Sequence, residues 1–356
     1  MENSRQSNNY VAILAGGIGS KFYPMGKEHK PQQFRDIFNT GKTLLQSTFE
    51  RFRGFIPKDH IYIVTSREYV SLVQEQLPNL PLENIVAEPE RKNTAASVAY
   101  ISFKLKKLNP KANLIIAPSD HLIRDQEIFV ESCFKALEFT EQQDAFVTLG
   151  IEPDHASSAY GYIRRGYQRT EDGVFKAIQF TEKPEKSQAE KFLEEDNVYW
   201  NSGILIGRAA DLADAFWIHA SHIYDLFRDV YEFLNTEKEA EVIEYVYTNC
   251  RSISIDYALM EKANNVYIIP SKFEWNDLGT WTRAWESYSQ ENYAFAYQLP
   301  KNSKSDADAK KMEIVELENM VIIETPETIL VCKKDYLRSK KDYAINAKEI
   351  KRELYI

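Results

Sequence analysis

Val11-Ala12-Ile13-Leu14-Ala15-Gly16-Gly17-Ile18-Gly19-Ser20-Lys21-Phe22-Tyr23-Pro24, continuing to Lys30-Pro31-Gln32-Gln33-Phe34, sets the architecture of this chain. The apolar opening reads as a buried strand that empties into a glycine-rich loop. Gly16, Gly17 and Gly19 tolerate positive φ and let bare backbone N–H groups approach an anion. Lys21 and Lys30 add two ammonium groups to the same loop, so the segment describes a polyphosphate cradle. It is not G-x-x-x-x-G-K-[ST]: near Gly41-Lys42-Thr43 the required first glycine is Asp36. Nor is it G-x-G-x-x-G, because the last position counted from Gly17 and Gly19 is Phe22. Pro24 and Pro31 oppose an immediate helix, so an extended loop is expected to wrap the ligand.

Working outward, apolar periodicity predicts helices over 44–52, 69–77, 95–108 and 129–139, and buried strands over 61–65, 85–87, 114–117 and 145–149. Alternating strands and helices predict an α/β fold, Rossmann-like, with a mixed, mostly parallel sheet and right-handed crossovers. Ligands of such sheets sit beyond the carboxyl ends of the strands. From Tyr160 the texture changes: 160–164 and 174–181 read as antiparallel strands about a turn at Asp172-Gly173. Helices over 223–234 and 240–247 follow, aromatic on one face as core helices are. The segment 293–308 is polar and irregular and reads as a linker, and 320–332 as short strands about a turn. The expected division is therefore a catalytic domain over 1–290 and a linker plus small C-terminal β domain over 291–356. The lysines of the tail beyond Lys333 are interspersed with acids and read as a solvated face.

The 356 residues carry a net charge of −9, which argues against a broad nucleic-acid or anionic-membrane surface. Focused lysines can still hold a phosphate. Cys133, Cys250 and Cys332 lie far apart without C-x-x-C, which fits a reducing compartment. The N-terminal residues are polar, no signal peptide is evident and no apolar stretch has membrane-spanning length, so a soluble cytoplasmic protein is expected.

Chemistry-bearing residues fall at strand exits. Asp120, in Ala117-Pro118-Ser119-Asp120-His121, suits Mg²⁺, an ion that prefers oxygen ligands and substrate phosphates; capping a turn is the other reading. Asp277, in Trp275-Asn276-Asp277-Leu278-Gly279-Thr280-Trp281, offers a second carboxylate, or else an acid at a helix start with Thr280 as its cap. Lys183 in Glu182-Lys183-Pro184 ends a strand, and Asn201 in Trp200-Asn201-Ser202-Gly203 can both donate and accept. Asp256, in Ser254-Ile255-Asp256-Tyr257-Ala258, reads as a helix cap or a ligand contact. His121 has no second histidine at ligand spacing and reads as packing.

L-A-G-G-x-G-[ST]-[RK]-[LF]-x-P followed by K-P-x-Q-F resembles the opening of the sugar-phosphate nucleotidylyltransferases, and of the mannose-1-phosphate guanylyltransferases in particular. The resemblance recurs over roughly residues 10–340. It implies the nucleotide-diphospho-sugar transferase fold, GTP and mannose 1-phosphate as substrates, GDP-mannose and pyrophosphate as products, and Mg²⁺ as cofactor. Asp120 matches the metal-binding aspartate of P-S-D-H, and Asp277 the aspartate of W-x-D-x-G-[ST]-W that completes the site. Lys183 matches the E-K-P lysine that holds the sugar phosphate; Glu182, Asn201 and Gly161 fall beside the sugar. Ala15, Gly16, Gly17, Gly19, Ser20, Glu88, Asn93, Thr94 and Ser119 fall on the nucleotide side, with Glu88 and Asn93 facing the base edge and Thr94 also readable as a helix cap. Lys21 and Lys30 complete the catalytic set. Lys21 and Lys92 stand where arginine is usual, Gly26-Lys27 replaces a Ser-Arg pair, and Gln32 replaces the second basic residue of K-P-K-Q. Lysine keeps the charge but loses arginine's two-pronged grip. Relatives carry a small left-handed β-helix-like segment at the C-terminal end, often in subunit contacts, so a homodimer is one expected partner. The tail is too short for the cupin-type isomerase module of bifunctional relatives, so the transferase activity alone is expected. Two other readings stay open: a different sugar 1-phosphate or nucleotide, and a silent regulatory paralogue that binds nucleotide sugar.

Overall fold

The computed structural model describes residues 8–18, 29–38, 40–170 and 173–279, with the backbone of 320–325 and 328–333. Its elements run β1 (Asn9–Leu14), α1 (Leu44–Arg53), β2 (Ile61–Ser66), α2 (Val70–Gln76), β3 (Ile85–Glu88), α3 (Asn93–Leu108), β4 (Asn113–Pro118), β5 (Leu122–Ile123), α4 (Gln126–Gln142) and β6 (Phe146–Ile151). There follow β7 (Tyr162–Arg169), β8 (Phe175–Thr181), α5 (Lys186–Leu193), β9 (Val198–Arg208), α6 (Ala209–His219), α7 (Ser221–Asp229), α8 (Glu239–Asn249), β10 (Val266–Ser271), β11 (Trp275–Asn276), β12 (Met320–Thr325) and β13 (Thr328–Lys333).

Nine strands form one sheet in the order β3-β2-β1-β4-β9-β6-β10-β8-β7. β1 pairs parallel with β2 and β4, β2 with β3, and β6 with β10. β9 runs antiparallel between β4 and β6, a placement that periodicity does not foretell. Why both faces are covered is legible in β1. Val11 and Ile13 join Leu45, Phe49, Val73 and Phe129 of α1, α2 and α4 on one face, whereas Tyr10 and Ala12 join Val98, Tyr100, Phe216 and Tyr247 of α3, α6 and α8 on the other. Two-sided burial turns the expected alternation into a continuous apolar run. Each fully buried Ile or Phe contributes about 1.5–3 kcal/mol.

The expected hairpin between β7 and β8 is present, with register shifts after Arg164 and Arg165. The helix expected over 223–234 ends at Asp229 and gives way to a single tighter turn, Tyr231–Phe233. β12 and β13 pair antiparallel. Residues 280–319 and those beyond 333 lie outside the described residues, and with them Thr280, the linker, the expected boundary at 290/291 and the lysine-containing tail. Cys133 and Cys250 are buried free thiols. Among the described residues no helix is long and apolar enough to cross a membrane.

Candidate active site

The glycine loop leaves β1 with its backbone held on three sides. Ala15 N–H donates to the Val64 carbonyl at 2.7 Å, and the Ala15 carbonyl accepts from Thr65 Oγ1 at 3.0 Å and Gln33 Nε2 at 2.9 Å. Gln33 Nε2 also donates to the Gly17 carbonyl at 2.8 Å, so Lys30–Phe34 folds back under the loop. A Cβ on Gly16 would lie 2.9 Å from Glu88 Oε2, so a larger residue there would displace that carboxylate. Glu88 itself is 6% exposed and accepts from Ser97 Oγ at 2.6 Å and Tyr247 Oη at 2.8 Å. Burial pushes its carboxyl pKa up, against the pull of those two bonds. Glu88 thus underpins the loop. Gly19, Ser20, Lys21 and Gly26-Lys27 lie outside the described residues.

Asp120 follows the exit of β4, beside that of β1, where Ser119 N–H donates to the Leu14 carbonyl at 3.1 Å and Thr48 Oγ1 to the Ser119 carbonyl at 3.2 Å. Gln32 Nε2 donates to Asp120 Oδ2 at 2.5 Å. Lys30 is half-buried two residues before Gln32. The second carboxylate arrives through a two-stranded ladder: β5 pairs antiparallel with β11, Leu122 opposite Asn276. Asp277 directly follows Asn276, and His121 directly precedes Leu122. Trp275 Nε1 donates to His121 Nδ1 at 3.2 Å, with the rings edge-on at 5.4 Å, so His121 packs as expected. Asp277 Oδ1 accepts from Tyr160 Oη at 2.8 Å and Gly279 N–H at 3.0 Å.

Tyr160 also reaches the sugar-side residues, because its carbonyl accepts from Lys183 N–H at 3.1 Å. Lys183 has φ +46, a left-handed conformation rare outside glycine and asparagine, and its Nζ pairs with Glu182 Oε1 at 2.9 Å. Partial burial pulls the Lys183 ammonium pKa down, and Glu182, helped by Asp256 and Tyr257, more than offsets it, so the net shift is upward. A Cβ on Gly161 would meet Glu182 Oε2 at 2.5 Å, and the Gly161 carbonyl accepts from Asn201 N–H at 2.8 Å. Asn201 Oδ1 accepts from Thr148 Oγ1 at 2.8 Å and Gly203 N–H at 3.1 Å, while Nδ2 donates to Asp256 at 3.2 Å. Its acceptor capacity is already used, which corrects the reading of Asn201 as donor and acceptor toward a ligand. Burial, reinforced by Glu182, pushes the Asp256 carboxyl up to about 6.

On the nucleotide side Asn93 is exposed at φ +64, its Oδ1 accepting from Thr94 N–H at 2.8 Å. Thr94 does not cap α3. Its hydroxyl accepts from Ile255 N–H at 2.8 Å, and Ala95 N–H donates to the Ile253 carbonyl at 3.1 Å, stitching the start of α3 to the segment that leads into Asp256.

The family described as nucleotidyl transferase matches residues 10–293. This chain belongs to the nucleotidyl transferase family. A "Mannose-1-phosphate guanylyltransferase" of Salmonella muenchen is 31% identical over 97% of this chain and 75% of its own. "Alginate biosynthesis protein AlgA" of Pseudomonas putida is 30% identical over 92% of this chain and 69% of its own. A solved structure described as a "mannose-1-phosphate geranyltransferase" of Thermus thermophilus matches the fold with a TM-score of 0.78 at 24% identity, over 98% of this chain and 100% of that one. The chain is a sugar-phosphate nucleotidylyltransferase.

In this nucleotidyl transferase, Mg²⁺ chemistry fits the donor set. Among the described residues no group of three or more His, Cys, Asp or Glu side chains gathers. An ion that keeps waters and takes substrate phosphates needs only one or two carboxylates, and Asp120 and Asp277 each commit a single oxygen to the hydrogen bonds above. Gln32 Oε1, buried beside Asp120, has no hydrogen-bond partner among the described residues, as a hydrated ion's neighbour would. Sequence reasoning misses Tyr160 and Gln32 as partners of the two aspartates. In the Tyr160-Gly161 pair the glycine carries the family signal, and a tyrosine beside it is the only hint of the bond to Asp277.

Proposed function

We propose that this nucleotidylyltransferase transfers GMP from GTP to α-D-mannose 1-phosphate, giving GDP-mannose and pyrophosphate, with Mg²⁺. The observation that supports it most is the β5–β11 ladder, which draws the Asp120 and Asp277 loops together beside the glycine loop and, through Tyr160, beside Lys183. The names of the relatives support the choice of base and sugar.

The attacking oxygen belongs to the sugar phosphate, is already anionic and needs no protein nucleophile. It strikes the α-phosphorus of GTP in line, and the α–β bridging bond breaks to release pyrophosphate. The protein's contribution is positioning and charge neutralisation. Lys183 holds the attacking phosphate, Lys30 the nucleotide phosphates and Lys21 the departing pyrophosphate. Glu182 accepts from sugar hydroxyls, and the missing side chain at Gly161 leaves room for its carboxylate. Asp120 and Asp277 would hold Mg²⁺, which when bound neutralises charge where the two phosphates meet.

Pyrophosphate release with GTP, ATP, UTP and dTTP against mannose, glucose and heptose 1-phosphates tests the reading. Turnover confined to GTP and mannose 1-phosphate is expected. Preference for another pair replaces the substrates, and binding of GDP-mannose without pyrophosphate release would make the chain a regulatory paralogue.

A further inference from the structure

Asp256 has no part in the reaction proposed above, yet it lies within the Lys183–Asn201 group. It starts a short π-helical turn, Asp256–Met260, a backbone form concentrated at functional sites. The turn is capped by another residue: Ser254 Oγ accepts from Tyr257 N–H at 3.3 Å. The Asp256 carboxylate accepts from its own backbone N–H and from Asn201 Nδ2.

An amide oxygen has two lone pairs and an amide nitrogen two hydrogens. Both lone pairs of Asn201 Oδ1 are taken, by Thr148 Oγ1 and Gly203 N–H. One hydrogen of Nδ2 is taken by Asp256. What is left for a ligand is one N–H. We infer that Asp256 is a positioning residue that fixes the polarity of the Asn201 side chain, so that Asn201 meets the sugar phosphate as a hydrogen-bond donor. This rests on the sugar-phosphate reading of the site. Without Asp256 the amide could turn its nitrogen away, and a buried oxygen facing a ligand oxygen would repel it. Glu182, Lys183 and Glu261 surround the same carboxylate; Glu261 Oε1 accepts from Glu182 N–H at 3.0 Å. A third acid in that company is costly to keep, and fixing Asn201 is what it provides.

The test uses the full chain with Asp256→Leu, Asp256→Asn and Thr148→Val, each checked for folding by circular dichroism. Kinetics and calorimetric titration are read with mannose 1-phosphate and with GTP. Asp256→Leu is expected to raise the sugar-phosphate KM about tenfold or more, the worth of one charge-assisted bond, with KM for GTP unchanged. Asp256→Asn, which keeps an acceptor, restores most of that loss. Thr148→Val frees Asn201 Oδ1 without touching Asp256 and gives a smaller rise of the same selectivity. Equal losses for both substrates, or an unchanged sugar-phosphate KM in folded Asp256→Leu and Thr148→Val, overturn the inference and leave the proposed function standing. If the parent protein binds no sugar phosphate, the proposed function falls and the inference with it.

Discussion

Gln32 Nε2 donates to Asp120 Oδ2 at 2.5 Å, so a neutral amide stands against the carboxylate where the K-P-K-Q pattern carries a basic residue. The amide holds Asp120 Oδ2. Gln32→Leu removes the donor at a position only 2% exposed. Mg²⁺ titrations of pyrophosphate release should show a half-saturating concentration raised about tenfold or more, the usual cost of losing a ligand's orienting partner. An unchanged Mg²⁺ dependence would mean that Asp120 needs no such support.

Tyr160→Phe separates hydrogen bonding from packing. The ring lies edge-on against Trp200 and Trp275, at 4.8 and 5.3 Å, and phenylalanine preserves those contacts. The bond to Asp277 is lost. Turnover should fall about fivefold to tenfold for roughly 1 kcal/mol, with little change in melting temperature. A fall in melting temperature with full activity would make Tyr160 a structural residue alone.

Lys183→Ala deletes the charge assigned to the attacking phosphate. The cost should be ~2–4 kcal/mol of barrier, a drop of roughly 30-fold to 1000-fold in turnover, on the scale of other preorganised donors. Circular dichroism should be unchanged, since the side chain is 59% exposed. Near-native turnover under saturating Mg²⁺ would refute the assignment.

How far this site is legible in the sequence depends on which residues are asked. The glycine run after β1, the two strand-exit aspartates and the E-K-P lysine are local patterns, and each sits at a strand end as its spacing implies. The antiparallel β9 between β4 and β6 is not legible, because strand order is a non-local property that periodicity does not carry. Thr94 reads as a cap because helix starts favour threonine. Tertiary stitching to Ile255 claims its hydroxyl instead. Gln32 reads as a lost positive charge; only the fold brings it within reach of a residue 88 positions away.

The Asp256 carboxyl also carries a signed pH prediction. Burial raises it from 3.8 to about 6 in the folded chain. Between those values the native state binds more protons than the unfolded one, so stability falls as pH rises through that window. Asp256→Asn removes the penalty. The variant should be more stable than the parent by about 1–3 kcal/mol at about pH 8, the upper figure being the full shift and the lower one discounting for solvent, and the gap should close toward about pH 4. Urea unfolding at the two pH values measures it, and a gap independent of pH would contradict the cause given.

In the proposed reaction Asp120 and Asp277 act together on one phosphate-bearing centre. Its most direct measurement is pyrophosphate release from GTP and mannose 1-phosphate by the parent, Asp120→Asn, Asp277→Asn and the double variant across a Mg²⁺ titration. Each single variant should lose roughly two orders of magnitude or more, and the double variant should lose little more than either, because residues that act as a unit are not additive. Full activity in either single variant, or losses that simply multiply in the double, would contradict it.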